Sequence, residues 1–366
     1  MEVQTIRIGE LRGWVESDAF RQMPVIPISP QRAISQAQNP RAKPDDVALV
    51  LVWSNGALVG YLGALPDLFF ISGSEPQPAA WLSCIWVSPL HRGKGIAKIM
   101  LEHMLEAWQF RVVLTEYTPE VGHLYRQFKH FTESTPSGGF RGYLRPNFAQ
   151  ILPPKNPIFE KTKPLLRAAD ALLSVPNHLR IKCLHSKIKT PQTKEITDFD
   201  KAVATFISAL QSGELAQRDP ATLRWMLQYP WVRESPEPDD FDRRYHFTAR
   251  ARQFKTKALL VLEQGETIGF LLLTLRDGHL RVPHAWHGDE HTAQMARVVF
   301  AQAIEMGAST LSLYHPRLTR FCQITRTPFF WEKPLRRTYF VGKGLADMLQ
   351  QQPLAFQDGD GDVGFT

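Results

Sequence analysis

Cysteine is scarce. Cys84, Cys183 and Cys322 are the only three in 366 residues, and their wide spacing and odd number give no disulfide framework. A reducing, cytoplasmic compartment is therefore expected. Long hydrophobic runs are lacking too. The longest, near Ile268–Leu275, is less than half of a membrane span, so no membrane partner is expected. The opening residues, Met1 to Gly13, have no basic stretch followed by an apolar one, so no signal peptide is expected. Hydrophobic residues at 43% and charged residues at 22% exclude a disordered chain, a collagen and a coiled coil. What is present is a chain more than twice the length of a typical domain, which predicts two domains with a core each.

Acids are short in one place. Residues 151–194 hold nine Lys or Arg and two acids, a net charge of +7, which equals that of the whole chain. The stretch is also rich in proline (Pro153, Pro154, Pro157, Pro164, Pro176, Pro191) and reads as a connector at 149–195. It is either a solvated linker or a basic strap near a phosphate-bearing ligand or an acidic partner. No nucleic-acid-binding motif accompanies the charge, so nucleic acid is not an expected partner.

Two segments read alike. Leu49–Leu62 and Ala258–Leu271 each carry an apolar strand, a turn with Gly56 or Gly265, and a second strand opened by Gly60-Tyr61-Leu62 or Gly269-Phe270-Leu271. Both predict a β-hairpin whose turn glycine takes a positive φ. The recurrence, 209 residues apart, points to an internal duplication. After the first hairpin come a strand at Trp81–Val87, a loop at Ser88–Lys94, a helix at Gly95–Trp108 and a strand at Arg111–Thr115. After the second come a strand at Leu280–Trp286, a helix at Glu290–Met306 and a strand at Ser309–Tyr314. The second copy is shorter by about eleven residues, and the loss falls on the loop before its helix.

That loop carries the strongest chemical signal in the first copy. The strand Cys84-Ile85-Trp86-Val87 runs into Arg92-Gly93-Lys94-Gly95 and directly into a helix whose apolar side is Ile96, Ile99, Met100, Met104 and Leu105. Unpaired N–H groups at such a helix start, at the positive end of the dipole, suit a phosphate or pyrophosphate. Gly93 and Gly95 let oxygens reach the backbone, and Arg92 and Lys94 add charge. No Gly-Lys-(Ser/Thr) follows, and no acid stands in a ribose-binding position, so neither a P-loop nor a dinucleotide fold is indicated.

The residues Arg92-x-x-Gly95-x-Ala97, behind a strand ending Val87-x-Pro89, resemble the acyl-CoA signature of the GNAT acyltransferase superfamily, (Arg/Gln)-x-x-Gly-x-(Gly/Ala). The hairpin before it, the strand after it and Leu124-Tyr125 on a short helix also resemble that family, in the same order, over about residues 1–148. The resemblance implies an α/β (α+β) fold with two GNAT-like domains, each a mixed, mostly antiparallel sheet flanked by helices. It implies acyl-CoA as donor and an amine as acceptor. Acetyl-CoA is expected because nothing indicates a widened tunnel. A small amine, an amino-sugar or similar, is the first expectation because the second domain and basic connector suit a phosphorylated or nucleotide-linked sugar. Ile85, Trp86 and Val87 would line the pantetheine arm, with backbone groups of Ile85 and Val87 pairing to it. Arg92, Gly93, Lys94, Gly95, Ile96 and Ala97 would hold the pyrophosphate. Tyr125 stands at the family's general-acid position. Thr118, seven residues earlier, stands where the family often has an Asn that bonds the CoA arm. Lys129-His130-Phe131 replaces the family's usual Gly-Phe ending.

A general base is not marked by any motif. Glu116, at the end of its strand, is the first candidate, followed by Asp67 and His91. Cys84 within an apolar strand reads as a small core residue before it reads as a nucleophile. In the second copy, Trp286–Ala293 has one glycine, no arginine, and Asp289 and Glu290, which would repel phosphates. Aligning Pro119 with Pro316 puts Cys322 at the place of Tyr125. The expected organisation is thus a GNAT domain at 1–148, the connector at 149–195, and a degenerate GNAT-like domain at 196–366 with an acceptor-side or structural role. Aromatics between Arg224 and Phe247 (Trp225, Tyr229, Trp231, Tyr245, Phe247) read as core, or as a surface that stacks on a sugar or base. His284, His287 and His291, with Asp289 and Glu290, resemble a ligand cluster, but the odd spacing from 284 to 287 sends those two side chains to opposite faces if the strand continues. Asp358–Asp362 lacks the late Glu of a calcium loop, so no metal is expected. Two other readings remain open at this stage: a Fem-like aminoacyl or peptidyl transferase using charged tRNA, and a non-catalytic acyl-CoA-binding scaffold. The oligomeric state is open as well.

Overall fold

The structure, a computed structural model, describes residues 1–115, 117–135, 138–349 and 352–366. It divides into two compact units. The first comprises Met1–Pro136, Thr197–Phe254 and Arg337–Thr366; the second comprises Ser137–Ile196 and Lys255–Arg336. The strands, in chain order, are β1 (Glu2–Arg7), β2 (Val47–Ser54), β3 (Ala57–Phe69), β4 (Gln77–Val87), β5 (Val112–Leu114), β6 (Phe131–Ser134), β7 (Gly139–Tyr143), β8 (Gln192–Ile196), β9 (Arg233–Glu234), β10 (Arg250–Ala251), β11 (Phe254–Glu263), β12 (Glu266–Arg276), β13 (His279–His287), β14 (Thr310–Leu313), β15 (Trp331–Leu335) and β16 (Tyr339–Gly342).

The first unit holds a seven-stranded sheet in the order β1-β2-β3-β4-β5-β16-β6, and the second holds one in the order β8-β11-β12-β13-β14-β7-β15. The two patterns match strand for strand. Four strands run antiparallel, a parallel pair follows (β4 with β5, β13 with β14), and one strand is inserted antiparallel before the last. The inserted strand comes from the far side in sequence each time: β16 enters the first sheet and β7 the second. Each half of the chain thus supplies the sixth position of the other half's sheet.

The expected hairpins are present, and their turns carry the expected backbone. Asn55 and Gly56 have φ of 50° and 75°, and Gln264 and Gly265 have 52° and 89°, the doubly positive pattern of a two-residue turn that matches strand twist. Gly60 and Gly269 have a different reason to be glycine. A Cβ on Gly60 would lie 2.6 Å from Ile96 Cγ2, and one on Gly269 would run into Met295. In both sheets the third strand is therefore bare where a helix, Ile96–Ala107 or Thr292–Glu305, lands on it. In the first sheet both faces are covered. Val50, Val52, Leu62 and Ala80 pack with Met100, Met104 and Leu105 on one face, while Leu49, Leu51 and Tyr61 pack with Leu11, Phe20 and Ile26 on the other. Two covered faces explain why β2 reads as a continuous apolar run rather than an alternating one.

Candidate active site

Strand β4 has a hydrogen-bonded partner on its β5 side only at Ala80↔Val112 and Trp81↔Val113. Beyond Trp81 it runs on to Val87 paired, among the described residues, with β3 alone, so residues 82–87 line a notch whose other edge has no ladder partner among them. Within that stretch the strand bulges. Ser83 pairs with Gly63 and Trp86 with Tyr61, which leaves Cys84 and Ile85 opposite Leu62. Cys84 has φ of 57°, a left-handed backbone that a non-glycine residue adopts at a cost of roughly 1 kcal/mol or more. A bulge of this kind bends its strand and re-aims its side chains. Ile85 and Val87 face the Ile96 helix, and Cys84 and Trp86 face the opposite side.

The bulged strand leads through a short turn, Pro89–His91, to the glycine loop. Gly93 and Gly95 both have φ of 78°, and a Cβ on either would meet nothing within 4 Å. They are required by backbone conformation and not by crowding, since only glycine takes this φ without strain. Gly95 is the N-cap of the Ile96 helix and offers no side chain to its first amides. Those N–H groups stand at the positive end of the helix dipole, with exposed Arg92 and Lys94 beside them, an arrangement that favours an anion.

The other anticipated residues are placed as follows. Tyr125, on the Pro119–Gln127 helix, is 2% exposed, with its ring 5.1 Å from Phe131 and 5.5 Å from Phe340. Burial pushes its phenol well above the ordinary value, so it holds its proton at neutral pH. Thr118 caps that helix by accepting from Val121 N–H at 3.5 Å. Glu116 lies outside the described residues. His91 Nδ1 stands 3.4 Å from Ser88 Oγ. Asp67 does not fit a base. It is buried, with Arg41 Nη1 at 2.8 Å, Arg218 Nη1 at 3.0 Å and Trp81 Nε1 at 3.0 Å. Burial works to raise its pKa, but Arg218 and Arg41 outweigh it and hold the group at about 2, so it stays charged within a structural network. The tail acids are occupied in the same way: Asp360 pairs with Arg218 at 2.7 Å and Asp358 with Arg337 at 2.5 Å.

The structure also assembles groups that no motif marked. On the side of β4 that faces away from the Ile96 helix, Arg32, 4% exposed, donates from Nη1 to Cys84 Sγ at 2.6 Å and from Nη2 to Ser83 Oγ. Its guanidinium lies 4.2 Å above the Trp231 ring, which stacks on Phe365. Tyr245 Oη is 3.4 Å from Cys84 Sγ. His246 lies parallel on Trp86, with centroids 4.5 Å apart and planes 15° apart, and Trp86 stacks on Tyr61 at 5.3 Å. Burial lowers the His246 pKa, so its ring is neutral at pH 7. Arg32 and His246 stand 52 residues before and 162 after Cys84. The only sign of them in the sequence is the Ser29-Pro30 helix start and the aromatic run at 245–247.

The second unit repeats the parallel pair and its early end. β13 meets β14 only from His279↔Thr310 to Arg281↔Ser312, but the loop beyond is differently furnished. Asp289 pairs with Arg317 at 2.5 Å, and the buried ring of His287 lies 4.9 Å from His315. Cys322 is buried on the Pro316–Ile324 helix, as Tyr125 is on its own helix.

Residues 13–126 match the family described as Acetyltransferase (GNAT) family. No curated protein matches in sequence. Among solved structures, a probable N-acyltransferase of Enterococcus faecalis V583 superposes with a TM-score of 0.51 at 12% identity, covering 96% of this chain and 74% of its own. N-myristoyltransferase of Saccharomyces cerevisiae, solved with bound myristoyl-CoA, superposes with a TM-score of 0.51 at 10% identity, covering 93% and 82%. At these identities the likeness is one of fold, and it spans both sheets. The matched segment ends just past Tyr125 and contains the hairpin, the bulged strand and the glycine loop, and over that segment the chain is similar to the GNAT acetyltransferases.

Proposed function

We propose that the protein is an acyl-CoA-dependent N-acyltransferase with one cofactor site, in the first unit, and that it transfers acetyl to a small amine. The observation that carries this reading is the continuity of β4. One strand loses its partner after Trp81, bulges at Cys84 and ends in a helix whose first amides are bare. The free edge suits an extended amide-bearing arm such as pantetheine, and the loop suits a pyrophosphate. Acyl-CoA would supply the activated thioester, held by Ile85, Trp86 and Val87 along the arm and by Arg92 to Ala97 at the phosphates.

The chain's own groups would then act on protons and charge. A β4 amide at the bulge would donate to the carbonyl oxygen where negative charge develops. Tyr125 would give its proton to the departing sulfur. On the opposite face, neutral His246 is the group we assign to take the proton of the attacking amine, and Trp86 fixes its ring. The second unit is read as a GNAT-like copy without its own cofactor: its loop is acidic and its notch holds two histidines in place of a glycine loop.

Calorimetric titration of acetyl-CoA into the wild type and into Gly95→Glu tests the site. Micromolar binding by the wild type and none by the variant is the expected result. Absence of binding to well-folded wild type would overturn the reading.

A further inference from the structure

The basic stretch at 151–194 is not a bare linker. It holds the longest helix in the chain, Lys163–His185, in which Ile181 alone is buried. Leu165, Leu172, Val175 and Leu179 are between 62% and 77% exposed. Residues seven apart on a helix lie almost one above the other, so Leu165, Leu172 and Leu179 form one line. Val175 stands beside them a turn on, and the exposed Cys183 continues the line. The stripe runs about 21 Å from Leu165 to Leu179. Its outward direction is set by the other face. Asp170 accepts from the N–H groups of Phe148 and Ala149 at 2.8 and 3.0 Å. Arg180 donates to the carbonyls of Pro328 and Leu144 at 2.7 and 2.8 Å. These bonds lock the helix with its leucines in solvent.

Cations frame the stripe. Lys155, Lys161 and Lys163 stand at its start, and Lys182, Lys187 and Lys189 at its end. Beside that end is a groove of about 660 Å³, lined by Lys187, Lys189, Arg297 and Arg326 over Phe300 and Phe321. None of these four cations has an acid partner among the described residues. An apolar ridge framed by cations, next to a cationic groove with an apolar floor, matches the interfacial region of a bilayer that carries acidic headgroups. No helix of the described residues is long and apolar enough to cross a membrane, so the contact would be at the surface.

We propose that this face docks on anionic phospholipid, the leucine stripe entering the acyl boundary and the cations meeting the phosphates. A nucleic acid would use the charge but has no need of four exposed aliphatic side chains. A second copy of the chain would bring one segment of net charge +7 against another.

The test is flotation with phosphatidylcholine vesicles, with and without phosphatidylglycerol, for the wild type, the variant Leu165→Gln/Leu172→Gln/Leu179→Gln, and Lys187→Glu/Lys189→Glu. Glutamine keeps helix propensity, and circular dichroism and melting check each variant's fold. The expected result is flotation with phosphatidylglycerol only, weakened by salt and about tenfold or more by either set of changes. Four results would overturn the proposal: no flotation of the wild type; equal flotation of the glutamine variant; a wild-type dimer that this variant dissolves without vesicle binding; or RNA binding that phosphatidylglycerol vesicles do not compete away. The chemistry proposed for the first unit has no part in any of these outcomes.

Discussion

Two side chains on opposite sides of β4 divide the proposed proton traffic. Tyr125 is buried and its proton is held tightly, so Tyr125→Phe should lower kcat by about 100-fold or more while leaving the calorimetric Kd for acetyl-CoA unchanged. An unchanged kcat would remove Tyr125 from the reaction. His246 must be neutral to accept a proton, and burial depresses its pKa below the ordinary value of about 6.5. The rate should therefore rise with pH along a limb whose midpoint lies below 6.5, and that limb should be absent in His246→Gln. A limb that persists in the variant would belong to another group. Tyr125 could be proposed from the sequence because the family resemblance supplies a Leu-Tyr pair on the short helix that follows the glycine loop within one chain segment. His246 could not, because its partner Trp86 is 160 residues away and only folding brings the rings together.

At the scale of elements, the hairpins, the Ile96 helix and the short strand after it follow from local pattern: alternating or continuous apolar runs, turn glycines, and a helix start marked by Gly95. The strand exchange does not. β16 is four residues long, shorter than any periodicity can identify, and its place between β5 and β6 is fixed by ladder pairing across the far ends of the chain. Phe340 on β16 packs against Tyr125, Phe131 and Tyr117. Phe340→Ala should cost about 3–5 kcal/mol in denaturant unfolding and should lower activity by loosening Tyr125. A change well below 1 kcal/mol would show that β16 is not seated in this core. The network of Asp67, Arg41, Arg218 and Asp360 likewise joins β3 to the tail. Asp67→Asn would strip a buried carboxylate from two buried guanidinium groups and should destabilise by about 3–5 kcal/mol. A stability equal to wild type would mean the arginines find other partners.

For the whole molecule, the histidines of the second unit give a sign for acid stability. His315 is pushed down to about 3 by burial, then by His287 and Arg317, and His287 is lowered by burial and by Arg317 and His291, though Gly288 and Asp289 oppose it. Between about pH 6.5 and 3 the unfolded chain binds a proton at the His315 position and the folded chain does not, and His287 acts with the same sign below about 6.5. Stability is thus complete above 6.5 and falls on acidification, by up to about 1.4 kcal/mol per pH unit for each site. His315→Gln should flatten that slope by up to one proton in unfolding measured from pH 7 to 4, and an unchanged slope would remove His315 as its source.

The two hairpins, the strand, helix and strand that follow each, and the glycine turn before the Ile96 helix were legible in sequence alone, because each depends on residues within a turn, a strand or a helix of one another. Tertiary structure alone decided which strand completes each sheet, that Asp67 is a structural anion rather than a base, that Arg32 and His246 flank the bulge, and that the leucines of the basic helix face solvent. All four depend on contacts between segments far apart in sequence, and no local propensity encodes which distant partner a side chain will meet.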